Sequence, residues 1–519
     1  VTAPGVTLAA WRAEVEKTLA GASFDKTLVQ LTPEGFALQP LYVATAVDPG
    51  VPGAPPFTRG SSAAAGRFAV CVRTDATGVA EEVDGGADAI WIAVGDDGAM
   101  AGGVPVVVEG PGAVAWLAQH AEVSGFVDDV AAVRTAGPRL RVARVSTLAF
   151  HDAGADPADE LALALATGVM HLRAIDDVAL AAQHLWLQVA IGRDSFGELC
   201  KLRALRRCWH KLYAAAGAPA TAPPPIHAVC AARTQSQHDP WVNMLRVTTE
   251  VFAAALGGAE LITPRPFDDA LGQPSMLGRR IARNTALVLR DESHLGRVVD
   301  PAGGAYYLEE RTEALARAAW ARFTAIERDG GLAAITASGA LRDRLEASWQ
   351  LRAAAIARRN EPVLGVSEFA NLDEQLPMDV PAPAAQPDAP ALRVHRDAEA
   401  FDELRERGAG REVVLLTLGP AREHRARAGF ATGFFATAGV RAREAAKVAK
   451  APLVCLCGSD ERYAAEAVET ARSLAAAGCA RVVLAGRPGP LEPALREVGV
   501  ATFIYVGCDV VATLTELLS

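Results

Sequence analysis

What this chain lacks narrows its class first. None of its apolar stretches approaches the roughly eighteen uninterrupted residues of a membrane helix, and its N-terminus lacks the basic, apolar, small-residue order of a signal peptide, so a soluble cytoplasmic protein is expected. No pair of its eight cysteines (Cys71, Cys200, Cys208, Cys230, Cys455, Cys457, Cys479 and Cys508) has C-x-x-C spacing, which argues against zinc and disulfides and for reduced core thiols. There is no basic block: the net charge of -10 is spread over the chain, which speaks against a nucleic-acid partner. No G-x-x-x-x-G-K-[ST] occurs, and the glycine pairs 102–103, 257–258, 303–304 and 330–331 read as turns and caps rather than phosphate cradles.

What is present is a long apolar-rich chain with a readable division. Half of the 519 residues are apolar, enough for large cores in several domains. Residues 1–65 form an arm: a short amphipathic helix, Leu8 to Leu19, then Pro33, Pro40, Pro49, Pro52, Pro55 and Pro56, which break helix and strand and leave the segment extended. Residues 66–376 alternate short β-rich runs with longer helical ones. The strand candidates are 67–73, 89–94, 104–109, 124–127, 141–147, 185–191, 226–232 and 260–263, eight in number, as in a (β/α)8 TIM barrel, followed by a helical extension from about residue 274. Residues 377–391 carry the prolines of a semi-extended linker. Residues 392–519 then read as a small doubly wound, flavodoxin-like α/β domain with strands at 413–418, 452–457, 481–485 and 502–506 and helices near 397–407, 439–449, 460–477 and 509–518. Ligands of such domains sit at the carboxyl ends of the strands, so the stretch Gly419 to Gly429 is expected to be the cofactor loop.

Several ordered motifs carry a resemblance. They are Thr32 to Tyr42 and Pro55 to Gly60 in the arm, Phe150-His-Asp-Ala-Gly-Ala155, Ala231-Ala-Arg-Thr-Gln-Ser236, Asp239-Pro-Trp-Val-Asn-Met-Leu-Arg246, Ile281-Ala-Arg-Asn-Thr285, Glu292-Ser293 and Arg297-Val-Val-Asp-Pro301. In this order they resemble the cobalamin-dependent acyl-CoA mutases over nearly the whole chain, and in particular the small subunits of methylmalonyl-CoA mutases. The resemblance implies an isomerase assembly that interconverts methylmalonyl-CoA and succinyl-CoA by radical chemistry in an enclosed barrel.

Against that pattern, specific residues are missing. Cobalamin-binding members carry Asp-x-His-x-x-Gly in the first loop of the C-terminal domain, whereas His424 here has Arg422 in place of the Asp and Arg427 in place of the Gly. After Phe57-Thr-Arg-Gly60 the family has a Tyr- and Arg-bearing segment; this chain has Ser61-Ser-Ala-Ala-Ala-Gly66, with no tyrosine between Tyr42 and Tyr213. His151 lies near the position of the family's carbonyl-binding histidine, but ungapped alignment on Ala153-Gly154 places Ala149 there, and the residues favour a satisfied histidine at a strand end. Arg233, a candidate for a CoA phosphate, reads first as a strand-end arginine paired with a carboxylate, and Arg279, Arg280 and Arg283 as a solvated or interface face. His151, Arg233 and Ser236 are the candidate remnant of an acyl-CoA pocket.

The resemblance therefore implies a catalytically inactive small subunit: adenosylcobalamin and acyl-CoA would be bound by a homologous large subunit in a heterodimer, with no cofactor or metal on this chain. Two alternatives stay open. One is an active mutase chain that borrows cobalamin from a separate protein, which needs an intact barrel site. The other is a non-enzymatic assembly protein for a cobalamin enzyme, which calls for a nucleotide site.

Overall fold

A computed structural model of the chain describes residues 7–64, 66–75, 77–93, 104–109, 113, 124–375 and 392–519, so the proline-rich stretch 377–391 lies outside the described residues. The arm begins with helix Leu8–Thr18, capped by Thr7, whose hydroxyl accepts from Ala10 N, and none of that helix is buried. A small antiparallel hairpin follows, β1 (Gln30–Leu31) and β2 (Ala37–Leu38). Beyond it the arm lies on the helical extension: Tyr42 meets Tyr307 at 5.4 Å, Thr45 donates to Glu310 at 2.5 Å, and Arg59 pairs with Asp300 at 3.0 Å.

The barrel is built from β3 (Ala69–Arg73), β4 (Ala89–Ala93), β5 (Val106–Glu109), β6 (Gly125–Val127), β7 (Leu140–Arg141), β8 (Ala143–Ser146), β9 (Leu185–Ile191), β10 (Ile226–Cys230) and β11 (Leu261–Thr263). All neighbours run parallel, in the order β7-β6-β5-β4-β3-β11-β10-β9-β8. β7 and β8 are two halves of one run interrupted at Val142; the first pairs with β6 and the second with β9, which closes the ring as eight strands. Alternation along each strand sorts the side chains. Val70, Val72, Ile90, Ile92, Leu187 and Val189 face outward into the large core beneath the helices, whereas Cys71, Ala89, Trp91, Val107, Trp186 and Val229 form a separate cluster inside the barrel. The helices follow local chemistry: Asp156 caps Pro157–Ile175 with proline in its first turn, and Asp194 caps Ser195–Ala215.

In the C-terminal domain, β12 (Glu412–Thr417), β13 (Arg441–Ala445), β14 (Leu453–Cys457), β15 (Arg481–Ala485) and β16 (Val500–Ile504) form a parallel sheet in the order β13-β12-β14-β15-β16. This is the flavodoxin-like order. Two expectations for this domain are corrected. The stretch 439–449, expected as helix, holds edge strand β13, whose Arg-Ala-Arg-Glu-Ala sequence lacks the apolar run of an inner strand because the edge faces solvent. The expected cofactor loop 419–429 is mostly helix Ala421–Ala436: Gly419 turns with φ +76°, Pro420 occupies the N-cap, and alanines with Glu423 in the first turn propagate the helix.

The two parts share packing. Ile356, Val363 and Val366, which follow helix Ala340–Ala357, lie in one cluster with Phe401, Leu404 and Phe434. Segment 392–397 lies along the barrel: His395 N donates to Asp152 O, Asp397 N donates to Arg233 O, both at 2.8 Å, and the His395 ring stacks on Trp349 at 4.3 Å. Asp397 is fully buried and receives both Arg352 Nε and Nη2 at 2.7 Å and Arg193 Nε at 3.0 Å, with Arg233 Nε at 4.0 Å. Burial alone would raise its carboxyl, but Arg352, Arg193 and Arg233 hold it far below the ordinary carboxylate range. Removing a buried carboxylate leaves its arginines uncompensated. Asp397→Ala is expected to lower unfolding stability by about 3–5 kcal/mol in urea titration. Arg443→Ala, which breaks the exposed pair with Glu412 on the edge strand, is expected to cost less than about 1 kcal/mol.

Candidate functional site

TIM-barrel sites lie at the C-terminal mouth of the strands. Just inside it, four rings fill the axis: Trp91 from β4 meets His227 from β10 edge to face at 5.4 Å, Trp186 from β9 stacks on His227 at 6.2 Å, and Phe126 from β6 packs on Trp186 at 5.3 Å. Trp186 Nε1 donates to Val127 O at 2.9 Å and His227 Nε2 lies 2.7 Å from Thr263 Oγ1, whereas Trp91 Nε1 has no partner among the described residues. Burial, with Arg144 second, takes the His227 pKa down to about 3, so the ring is neutral.

Above these rings, charges on the strand ends neutralise one another. Arg144 bonds Glu109 at 3.2 Å, Asp128 at 2.9 Å and Gln188 at 3.5 Å, while Arg73 reaches Glu109 at 3.4 Å and covers the Trp91 face at 4.9 Å. A cavity of about 310 Å³ opens there between Arg73, Asp75, Arg265, Asp269 and Arg279. Arg265 already pairs with Asp269, and Arg279 leans on Glu82 at 3.7 Å. Arg283 is buried against Glu82 as well, so this arginine is not solvated as the sequence suggested; the carboxylate of the small helix Val79–Asp84 draws it in.

His151 and Arg233 are brought together, and Ser236 is not. Short helix Leu148–Asp152, not a strand end, places His151 Nδ1 2.7 Å from Glu160 Oε1 inside the protein, and its Nε2 has no partner among the described residues. Lys201 reaches Glu160 at 3.1 Å and Ala190 O at 2.8 Å, and pairs with Glu198 at 2.6 Å. Burial, reinforced by Arg233 and Lys201, lowers the His151 pKa well below its ordinary value; burial pulls Lys201 down too, but Glu160 and Glu198 outweigh it. Arg233 donates chiefly to backbone, His151 O at 2.5 Å and Ala155 O at 3.1 Å, with Asp397 as its distant carboxylate. Ser236 serves helix Asn243–Leu256 instead, its N–H donating to Asn243 Oδ1 at 3.0 Å and its hydroxyl accepting from Arg246 at 3.1 Å.

The crevice of the C-terminal domain lies where the strand order reverses, between β12 and β14. Arg427 crosses it from helix Ala421–Ala436, donating to Gly458 O at 2.6 Å and Asp460 at 2.5 Å with its guanidinium 4.7 Å from the Tyr463 ring centre. Arg462 closes the same edge on Glu423 at 2.5 Å. His424 is half-buried on the first turns of that helix, its Nδ1 3.1 Å from Gly419 O, and Arg422 near it points to solvent.

Sequence reasoning passed over the axis rings and the crevice plug. Alternation in Leu185-Trp-Leu-Gln and Ile226-His-Ala-Val could have assigned Trp186, Gln188 and His227 to the barrel interior. No local signal marks Arg427 for Gly458 and Asp460.

His227 generates a pH prediction. Its ordinary value is 6.5 and its folded value about 3, so above pH 6.5 the ring is neutral folded or unfolded and costs nothing. Below that, only the unfolded chain takes the proton, and stability is lost. The wild type is expected to lose about 2 kcal/mol between pH 7.5 and 5 relative to His227→Gln, measured by urea unfolding of both. Glu250, which burial raises to about 7, acts in the opposite sense but is common to both proteins and cancels.

The geometry can now be set beside known proteins. A family profile described as methylmalonyl-CoA mutase matches residues 117–413. The methylmalonyl-CoA mutase small subunit of Streptomyces virginiae is 37% identical over 97% of this chain and 93% of its own length. A probable methylmalonyl-CoA mutase small subunit of Mycobacterium bovis is 38% identical, covering 76% of this chain and 67% of the relative. The small subunit from Propionibacterium freudenreichii subsp. shermanii is 34% identical over 73% of this chain and 63% of the relative. With more than half of its length matched by the family profile and a relative aligned almost end to end, the chain belongs to the methylmalonyl-CoA mutase family.

Proposed function

We propose that this chain is the non-cobalamin-binding small subunit of a heterodimeric methylmalonyl-CoA mutase, and that it stabilises a homologous large subunit which holds adenosylcobalamin and the acyl-CoA substrate. The observation that carries this reading is the crevice between β12 and β14. A lower cobalt ligand must project a histidine from that edge and have an acceptor behind its second nitrogen. His424 has such an acceptor, its Nδ1 lying 3.1 Å from Gly419 O, but the crevice itself is taken: Arg427 spans it to Gly458 O and Asp460, and Arg462 closes the same edge on Glu423. These residues do not fit the cofactor. The barrel axis supports the same reading, because a barrel that encloses its substrate needs room along the axis, and Trp91, Trp186 and His227 take it up.

The test uses the purified full chain alone and co-expressed with its large subunit. Alone it is expected to retain no adenosylcobalamin in equilibrium dialysis and to show no mutase activity with cofactor added, whereas the one-to-one complex is active. Micromolar cobalamin binding by the isolated chain overturns the reading, and so does activity with only a small free-standing cobalamin protein.

The arm, residues 1–65, is the assembly element in this proposal. Trp11 and Phe24 pack edge to face at 6.0 Å, yet Leu8, Leu31, Leu41, Val43 and Val51 stay exposed on it, the apolar character of obligate interfaces. Deleting residues 1–45 is expected to weaken heterodimerisation at least about tenfold, a loss of ~1.4 kcal/mol, while the far-ultraviolet circular dichroism of the barrel is kept. Unchanged affinity in sedimentation experiments removes the arm from assembly.

A further inference from the structure

The end of the barrel opposite the mouth holds a feature that neither the family chemistry nor the assembly role uses. Arg206 sits well along helix Ser195–Ala215 and is 1% exposed. Its guanidinium donates only to carbonyls: Nη1 to Gly257 O at 2.6 Å and Nη2 to Gly258 O, in the turn that leads into β11. Among the described residues no carboxylate pairs with it, and its Nε has no hydrogen-bond partner. Arg203, equally enclosed on the same helix, is by contrast matched by Asp300 and Glu309. A buried guanidinium held by carbonyl dipoles alone retains most of its desolvation cost.

Arg206 lines a cavity of about 170 Å³ between that turn, the segment after Phe57 and the stretch from Gly296 to Asp300. Two more buried donors on its wall, Thr58 Oγ1 and Ser61 Oγ, also have no partner among the described residues. Of the carboxylates on the wall, Asp300 is engaged by Arg59 and Arg203, and Glu260 accepts the Ile226 N–H at 2.7 Å from its exposed position. Three side chains with an unpartnered donor, one of them cationic, therefore line one space large enough for a small tetrahedral oxyanion.

We propose that this cavity is an anion site for a phosphate group, held by the Arg206 guanidinium and the hydroxyls of Thr58 and Ser61. Charge-assisted bonds from a guanidinium and two hydroxyls suit the oxygens of a phosphate, and the anion supplies the countercharge that Arg206 otherwise lacks. The ligand is either free phosphate or the terminal group of a phosphomonoester.

Isothermal titration calorimetry of the full chain with sodium phosphate, against sodium chloride at matched ionic strength, tests this. Saturable binding of phosphate but not chloride is expected, with the Kd weakened at least about tenfold in the Thr58→Val/Ser61→Ala double variant and binding lost in Arg206→Met. The double variant removes only two hydroxyls, so it keeps the test meaningful if Arg206→Met fails to fold. A parallel titration with adenosine 5′-monophosphate separates the sources: tighter binding than phosphate assigns the site to a phosphomonoester, weaker binding to the free ion. No phosphate-specific heat in the wild type, or an unchanged Kd in the double variant, overturns the proposal.

Discussion

Asp397 is the constraint on which the arrangement of the two parts depends. It comes from the first residues after the proline-rich stretch, yet it is bound by Arg352 of the helical extension, by Arg193 after β9 and, more distantly, by Arg233 after β10. One buried carboxylate thus joins two barrel loops, a helix and the start of the C-terminal domain. The adjacent His395, stacked on Trp349 and bonded to Asp152 O, extends the same seam. Because the partners are desolvated and matched, the seam cannot slide by one residue without leaving at least one guanidinium without its carboxylate.

The interiors on both sides of this seam are filled by the chain itself. Along the barrel axis, inward positions of the strands carry two indoles and an imidazole, with Trp186 and His227 hydrogen-bonded within the barrel. At the sheet edge of the C-terminal domain, two guanidinium–carboxylate pairs and Tyr463, whose hydroxyl lies 3.0 Å from Leu456 O and 2.7 Å from Ala485 O, occupy the strand ends. Either filling alone could be local variation. Occurring in both places where ligands of such folds sit, they support the proposed non-catalytic role.

The eight barrel strands were legible because each is a short apolar run bounded by turn residues and followed by a helical period, and that signal is local. Strand β13 was not, since an edge strand such as Arg441-Ala-Arg-Glu-Ala445 satisfies only one neighbour and keeps its charges in water. The helix at Ala421 replaces the expected cofactor loop because Pro420 is followed directly by helix formers, a local signal that starts the helix at the sheet edge. His151 was read as a satisfied histidine, but only its Nδ1 has a partner, Glu160, while its Nε2 has none among the described residues; Glu160 and the Lys201–Glu198 pair come from other elements, which no spacing along the chain predicts. Arg233 was expected to pair with a carboxylate at a strand end; its nearest acceptors proved to be carbonyls, with Asp397, 164 positions further along the chain, at 4.0 Å.

That long-range character bears on why such costly groups are kept. Replacing a buried ion pair by apolar residues is often neutral or stabilising, so Asp397, Glu160 and Lys201 are poorly explained as sources of stability. They differ from apolar contacts in being directional: Arg352 meets Asp397 through two parallel bonds, and Lys201 must face Glu160, Glu198 and Ala190 O together. An apolar seam between a barrel and a small α/β domain admits several packings of similar energy, whereas this one admits a single register. For a subunit whose proposed task is to present a fixed surface to a partner, uniqueness of that arrangement is the property that counts, and a charged seam secures it at a cost in stability that the large apolar cores on either side absorb.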